Sequence, residues 1–276
     1  MQLCILGTAA AEGWPAPFCV CAACEEARKR GGANLRSRSG ALLDDDLKID
    51  FCPDTLVQMQ RSGRHLANIK TLVFTHQHSD HVAPPELSWA FRPYSATPPE
   101  KIDIYAPAPV IEKLEQAFSS HAHKDQFDAA FAFHLLTPHE SVTTKQGDRI
   151  LALPADHVAG ATVLLITRGD KTIFYGHDSG LYPEETLDGL EKNGAVDLVL
   201  MDCTSGSLET SNRGHMSVSG VEQMRDELKK RGVITEKTRV VATHFSHNGK
   251  WLHEDLLAHF TPRGIDVAFD GMTIDV

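Results

Sequence analysis

A histidine-rich segment directly after an apolar strand is the feature that most restricts what this chain can fold into. The segment reads Thr75-His76-Gln77-His78-Ser79-Asp80-His81, and the strand predicted before it spans Ile69 to Phe74. Three imidazoles and a carboxylate so close together can converge on more than one ion, and these ligands suit zinc and other first-row metals. The alternative is a polar surface loop that happens to be rich in histidine. The position after a buried strand favours a metal site.

A second group of metal-binding residue types lies in the N-terminal loop. Cys19, Cys21 and Cys24 offer three thiolates where the chain enters a helix. Closed structural zinc sites use four nitrogen or sulfur ligands, so a fourth must come from elsewhere, and His247 is our candidate. Redox chemistry at the Cys21–Cys24 pair is the competing interpretation. The additional Cys19 favours a structural zinc held by the loop over residues 13–24.

The pattern of apolar segments predicts an α/β fold with two sheets packed together and helices outside. The predicted strands are Met1–Leu6, Gly40–Leu43, Leu47–Phe51, Ile69–Phe74, Arg149–Leu153, Thr162–Thr167, Thr172–Tyr175, Leu198–Met201 and Arg239–Ala242. Acidic residues 44–46 and the pair Gly169-Asp170 predict hairpin turns. We expect a single domain over residues 1–276.

Helices are predicted in four places, one of them a short helix whose first turn suits Pro53, and one long segment has a different character. Ala22–Arg30 has a helical composition, Pro107–Ser120 is amphipathic, and Ser219 with Glu222 fits a capping box for a helix that runs to Lys230. Residues 84–145 include a region rich in proline and aromatic residues, 84–99, which predicts an irregular loop. Loops often carry specificity, so we expect a lid or substrate wall here, with Arg92 contacting a substrate phosphate.

Charge and hydropathy limit the partners of the chain. The 276 residues carry a formal net charge of -10, and no run of basic residues interrupts it. Long nucleic acids bind mainly through lysine and arginine, so a nucleic-acid partner is not expected. No apolar run approaches the length of a membrane span, and Met1–Ala11 lacks a basic leader, so we expect a cytoplasmic protein without a membrane partner. A homodimer is compatible with the sequence but not specified by it.

The histidine-rich segment resembles the His-x-His-x-Asp-His motif of the metallo-β-lactamase superfamily. His157, Asp178 and His244 each follow a predicted strand and match the later ligand positions of that family. The resemblance implies a four-layer αββα sandwich and two divalent ions. One ion would be held by His76, His78 and His157, and the other by Asp80, His81 and His244, with Asp178 and a hydroxide bridging them. Zinc or manganese is the expected metal.

Two further residues, Asp50 and His177, are candidates to lie beside the predicted metal ligands. Asp50, at the end of a predicted hairpin strand, either hydrogen-bonds a metal ligand and orients it or is an ordinary turn carboxylate. His177 precedes Asp178 and would point the opposite way if the strand continued, so we exclude it from the site.

The N-terminal cysteine loop narrows the resemblance to the PhnP-type phosphodiesterases of phosphonate metabolism. Gly7-Thr8, Met201-Asp202-Cys203 and Phe269-Asp270-Gly271-Met272 are similar to that group as well. The resemblance implies hydrolysis of a small, cyclic phosphodiester by the bridging hydroxide. It also matches His215 to an additional active-site histidine, and either His215 or Asp80 would assist departure of the leaving oxygen.

Two other functions are compatible with this sequence. One is a non-hydrolytic protein like PqqB of quinone-cofactor biosynthesis, which has a similar cysteine opening. The complete His76–His81 motif argues against this alternative. The other is a lactone or thioester hydrolase with the same metal site, because one site architecture supports several chemistries.

Overall fold

The computed structural model describes residues 1–119 and 121–276, and its strands form two seven-stranded sheets. The first sheet has the order β14-β1-β2-β3-β4-β5-β6 and the second has the order β13-β12-β11-β10-β9-β8-β7. The strands of the first sheet are β1 (Gln2–Gly7), β2 (Gly40–Leu43), β3 (Leu47–Ile49), β4 (Thr71–Val73), β5 (Ile102–Ala106), β6 (Phe131–Leu135) and β14 (Met272–Asp275). The strands of the second are β7 (Ser141–Thr143), β8 (Arg149–Pro154), β9 (Thr162–Arg168), β10 (Lys171–Gly176), β11 (Leu198–Asp202), β12 (Arg239–Thr243) and β13 (Asp266–Val267).

Helices cover the outer faces of both sheets. The α-helices of the described residues are α1 (Ala22–Arg30), α2 (Thr55–Ser62), α3 (Ala108–Ala117), α4 (His121–Ala130), α5 (Glu184–Asn193), α6 (Val218–Lys230) and α7 (His253–Phe260). Short 3₁₀ helices occur at Gly32–Asn34, Pro84–Ala90, His247–Gly249 and Thr261–Arg263. No helix in the described ranges has the length and apolar character that a bilayer crossing requires.

The alternation of side chains along the strands produces three separate apolar cores. Leu198 and Leu200 of β11 enter the core between the sheets, whereas Val199 and Met201 enter the core beneath α5, α6 and α7. Neighbouring strand residues point to opposite faces, so a strand that is apolar throughout is buried on both. A third core fills the space between the first sheet and its helices, α2 to α4. The predicted four-layer αββα sandwich is therefore confirmed.

The two sheets meet along an edge at which several strands end. In the second sheet β10, β11 and β12 run parallel, and in the first sheet β3 to β6 run parallel. Thr162 links the sheets at this edge because its backbone N and its Oγ1 donate to the carbonyl of Thr75, at 3.1 and 2.9 Å. Loops that leave these strands are consequently held close together.

Most elements match the sequence predictions, and the differences have local causes. Both predicted hairpins form, with positive φ at Asp44, Asp45 and Gly169. The helix expected to begin at Ser219 begins at Val218, because the Ser217 side chain is the cap that accepts from the Gly220 N–H.

The segment over residues 84–145 contains more regular structure than predicted. Residues 84–99 were expected to form an irregular loop, but Pro84–Ala90 is a 3₁₀ helix that starts with proline, a residue suited to a first helical turn. The helix predicted for Pro107–Ser120 is Ala108–Ala117, and Ser120 lies outside the described residues.

Burial in the inter-sheet core should contribute strongly to the free energy of unfolding. Leu200 has no exposed surface, so Leu200→Ala should lower that free energy by about 2–5 kcal/mol through lost burial and a cavity. Leu135, on the edge strand β6, is 54% exposed, and Leu135→Ala should change the free energy much less. Urea unfolding of both variants, at fixed metal content, measures the difference. Equal losses would contradict the layer assignment.

Candidate metal centre

The predicted metal ligands lie at one edge of the molecule because each follows the carboxyl end of a strand. His157, Asp178 and His244 come after β8, β10 and β12, which run in the same direction in the second sheet. The segment His76–His81 comes after β4 of the first sheet. Ligand sites in open α/β sheets form at this end of the strands because loops from neighbouring strands meet there.

All seven predicted ligands of the binuclear site are brought together. They form groups in which one ligand atom from each residue lies within 4.8 Å of the others. The groups are His76, His78 and His157; Asp80, His81 and His244; His76, His81 and Asp178; and Asp178 and His244 together with Asp202 and His215. The first two groups are the divisions that the family resemblance implies for two ions. The third places Asp178 between them.

Four ligand atoms that face the middle of this cluster are buried and have no hydrogen-bond partner, whereas His157 Nε2 lies 3.0 Å from His78 Nδ1. The four atoms are Nε2 of His76, Nε2 of His81, Nε2 of His244 and Oδ2 of Asp178. Asp178 Oδ2 lies 2.7 Å from His81 Nε2 and 3.2 Å from His244 Nε2, but without the alignment of a hydrogen bond. Unpaired buried polar atoms are costly, and cations between them would remove that cost. The donor set therefore fits the divalent ions that this fold implies.

The ring nitrogens that face away from the cluster have partners of their own. The contacts are His76 Nδ1 to Thr75 Oγ1 at 3.1 Å, His81 Nδ1 to Asp50 Oδ2 at 2.7 Å, His157 Nδ1 to Gly214 O at 3.2 Å, and His244 Nδ1 to Thr204 Oγ1 at 2.8 Å. Such contacts fix ring orientation and tautomer at metal sites. Asp50 is buried and also accepts from the Thr75 N–H at 2.9 Å, as expected of an orienting carboxylate rather than a turn residue.

Asp202 is a functional candidate to which sequence reasoning gave no role. It is the last residue of β11, fully buried, and its Oδ2 lies 2.8 Å from His215 Nδ1 and 3.4 Å from His244 Nδ1. Its Oδ1 accepts from the Thr204 N–H. Its position in the sequence could have identified it, because Asp202 is an acidic residue at the end of an apolar strand, and similar strands precede Asp178 and His244.

Burial and neighbouring charges shift the pKa values of the cluster. Burial holds the pKa of His76 well below its usual value, and the nearby His81 lowers it further. Burial alone would raise the pKa of Asp178, but His244 and His81 outweigh it and hold the pKa well below its usual range. Burial alone would lower the pKa values of His81 and His244, but the Asp178 carboxylate and its neighbours outweigh burial and raise both. Neutral imidazole and ionised carboxylate are the forms that bind metal, so ion binding at these two histidines would release protons.

His215 has a different environment. Burial alone would lower the pKa of His215, but the Asp202 carboxylate raises it to about 9. Its side chain is 31% exposed, compared with 1% for His244, so it borders the solvent side of the cluster.

His177 is buried beside the cluster but belongs to none of the metal-competent groups among the described residues. Its ring lies against Tyr175, with 3.9 Å between ring centroids. Burial lowers the pKa of His177 to about 3, so the ring is neutral.

The cysteine loop forms the second predicted constellation. Cys19, Cys21, Cys24 and His247 place their ligand atoms within 4.8 Å of one another. His247 Nδ1 lies 3.7 Å from Cys19 Sγ and 3.5 Å from Cys21 Sγ, and all of these cysteines are free thiols. His247 follows β12 by four residues, so this group would join the N-terminal loop to the strand that carries His244. Three sulfurs and one nitrogen suit a closed zinc site.

The thiols of this loop differ in their protonation. A hydrogen bond from the Cys24 backbone is the main cause that lowers the pKa of the Cys21 thiol to about 6, and His247 contributes. Burial raises the pKa of Cys24 to about 12. Cys21 is therefore more readily ionised than Cys24 in the free protein.

The segment over residues 84–145 touches the cluster through α3 rather than through the residues first expected. Lys113 Nζ donates to the carbonyl of Gln77 at 2.7 Å, between two predicted ligands. Arg92 is exposed. Trp89 lines an apolar cavity of about 330 Å³ against the outer face of the first sheet, and Phe91 is buried in that outer core.

Comparison with known proteins agrees with the fold. Residues 47–245 match the family model described as the β-lactamase superfamily domain. This range contains all seven predicted ligands of the binuclear cluster but neither the cysteine loop nor His247. The coenzyme PQQ synthesis protein B of Azoarcus sp. strain BH72 is 26% identical over 321 residues, with both chains covered completely.

Two solved structures resemble the chain over its full length. A diphosphatase from the PhnP family superposes with a TM-score of 0.75 at 21% identity and covers 100% of this chain and 97% of its own. Zinc-bound PqqB from Methylobacterium extorquens superposes with a TM-score of 0.76 at 18% identity, with complete coverage of both chains. At sequence identities this low, the structural similarity shows a shared fold and nothing more.

A zinc site in the cysteine loop predicts a change in metal content. Cys21→Ser and His247→Ala should each lower the zinc content by one ion per chain, measured by elemental analysis after dialysis, because three ligands hold structural zinc poorly. His65→Ala, at an exposed histidine outside every group, should leave the content unchanged. Unchanged zinc together with a Cys21–Cys24 disulfide would support the redox interpretation instead.

Proposed function

The chain belongs to the metallo-β-lactamase superfamily, and from that membership we propose that it is a metal-dependent hydrolase of a small phosphodiester. The observation that carries the proposal is the set of inward-facing, unpaired atoms on His76, His81, Asp178 and His244. A centre of this kind has a use in hydrolysis, because two divalent ions bound there would acidify a water molecule and neutralise charge on a phosphoryl group.

The chain's own residues supply the positioning. His76, His78 and His157 would hold one ion, and Asp80, His81 and His244 the other, with Asp178 between them. Asp50 and Thr204 hold the outer nitrogens of His81 and His244, so the inner atoms need little rearrangement when the ions bind. Preorganised groups of this kind account for much of the stabilisation of a transition state.

We assign the proton donor to His215 and not to Asp80. Asp80 is buried and groups with His81 and His244 as a ligand. His215 directs Nδ1 to Asp202, which leaves Nε2 available on the partly exposed side of the ring. An N–H at Nε2 would donate to the leaving oxygen of a substrate.

A protein of quinone-cofactor biosynthesis is the second candidate, supported by the 26% identity to coenzyme PQQ synthesis protein B. The complete His76–His81 motif was expected to argue against this candidate, but it does not separate the candidate from a hydrolase, because a solved PqqB also binds zinc. We favour hydrolysis because His215 and its carboxylate partner have a role in proton transfer that binding alone does not require.

Substrate screening tests the proposal directly. Purified protein with measured metal content should turn over cyclic or linear phosphodiesters faster than lactones or thioesters. Diphosphates belong in the same screen because the PhnP-family neighbour is described as a diphosphatase. Asp178→Ala should abolish both turnover and retention of two ions at the cluster, because it removes the carboxylate that lies near His81 and His244 of one group and His157 of the other. Full activity in that variant, or turnover of lactones alone, would overturn the assignment.

The role of His215 predicts a dependence on the leaving group. His215→Ala should slow hydrolysis of alkyl phosphodiesters by about 10²–10⁴-fold, the usual range for loss of a general acid. The same variant should affect a 4-nitrophenyl ester much less, because that leaving group departs without a proton. Metal content should stay at the wild-type value. An equal loss on both substrates would count against proton donation.

A further inference from the structure

Lys48 is a buried lysine that the proposed mechanism does not use. It lies on β3 between Leu47 and Ile49, whose side chains enter the inter-sheet core. Because neighbouring strand residues point to opposite faces, Lys48 points the other way, towards α2. The side chain has no exposed surface. Lysine is almost never buried completely unless it is paired.

The amine of Lys48 makes one close polar contact. Nζ donates to the backbone carbonyl of Asp50 at 2.6 Å, and it lies 5.6 Å from the centre of the Phe51 ring. Lys48 forms no ion pair with any described residue. A Cβ added at Gly40 would lie 3.3 Å from Nζ, so the absence of a side chain at Gly40 leaves room for the amine.

Asp50 has a backbone conformation that needs support. Its φ is +56°, in the left-handed region that residues other than glycine seldom adopt. Its N–H donates to the Val73 carbonyl at 2.8 Å, and its own carbonyl accepts from Lys48. Both backbone polar groups are thus fixed, and the side chain is directed at Thr75 and His81.

The contacts run without interruption from Lys48 to the cluster. Asp50 Oδ2 lies 2.7 Å from His81 Nδ1, and His81 Nε2 faces Asp178 and Asp80 at 2.7 and 3.2 Å. A shift of the Asp50 backbone would rotate its carboxylate and, with it, the His81 ring. Partners outside the ligands control metal affinity in this way.

We propose that Lys48 is a positioning residue that fixes Asp50 and thereby orients His81 towards the ion it would hold with Asp80 and His244. The inference rests on the proposed function for the ligand role of His81. Stability alone gives little reason for a lysine here, since replacing a buried charged group by an apolar one of similar volume is often neutral or stabilising. Burial lowers the pKa of Lys48, but charged and neutral amine both donate to the Asp50 carbonyl.

Lys48→Met distinguishes a positioning role from a purely structural role. A positioning role predicts weaker metal binding without loss of stability, whereas a structural role predicts loss of stability without weaker metal binding. If Lys48 positions Asp50, the metal-free variant should unfold at the same or a higher urea concentration than wild type. Its affinity for the ion that His81 would hold with Asp80 and His244 should fall about tenfold or more. Titration with Zn²⁺ against a chromophoric chelator gives the affinity. Co²⁺ substitution should show an altered visible spectrum for one ion of the pair.

Two further variants keep the test decisive. Gln58→Met is the matched control: Gln58 is buried in the same layer and bonds Ser37 and Arg38 but not Asp50, so it should lose stability without losing metal affinity. Gly40→Ala, which crowds Nζ, should reproduce the affinity loss and decides the matter if Lys48→Met does not fold.

The possible results are distinct. Wild-type affinity and an unchanged Co²⁺ spectrum in Lys48→Met would overturn the inference, as would an equal affinity loss in Gln58→Met. A wild-type protein that binds no ions at the cluster would instead refute the proposed function, and the inference with it. The positioning role would be established if Lys48→Met and Gly40→Ala bind the metal ion more weakly while Gln58→Met binds it as wild type does.

Discussion

The structure depends on one electrostatic constraint: imidazoles and carboxylates crowd together at the joined edge of two sheets with their inner atoms unpaired. Burying such atoms is unfavourable unless cations or hydrogen bonds satisfy them. At Asp178, two histidine nitrogens approach within 3.2 Å without hydrogen-bond alignment. The fold tolerates this arrangement because strands buried on both faces fix the positions from which the loops leave. Divalent metal ions are the occupants whose charge and ligand preference match.

Around this cluster, an outer set of polar groups holds the ligands in place. Asp50 and Asp202 occupy corresponding positions, one after β3 and the other at the end of β11, and each supports a histidine through Nδ1. Each sheet therefore supplies an orienting carboxylate of its own. Lys48 extends this support one contact further on the first sheet. Such groups contribute little to packing, and their presence is better explained by the geometry that they impose on the centre.

The sequence alone determined the fold class and the identity of most site residues. Buried strands are apolar on both faces, so segments such as Leu198–Met201 were recognisable without tertiary information. Local turn chemistry also acts within a few residues, which is why both hairpins formed as predicted. The histidine-rich segment was informative because its ligands are close in sequence. His157, Asp178 and His244 were identified only through the resemblance to the family, because residues far apart in the sequence give no indication that they are close in space.

Only the tertiary structure decided which distant groups act together. The pairing of Asp202 with His215, and of Lys48 with Asp50, depends on side-chain direction and on a left-handed backbone that composition does not encode. The same holds for the segment over residues 84–145, where Lys113 and not Arg92 contacts the ligand loop. Periodicity and motif spacing are local properties, whereas a binding site is a set of contacts between strand ends far apart in the chain. Sheet order and register create those contacts, and they emerge only when the whole chain is packed.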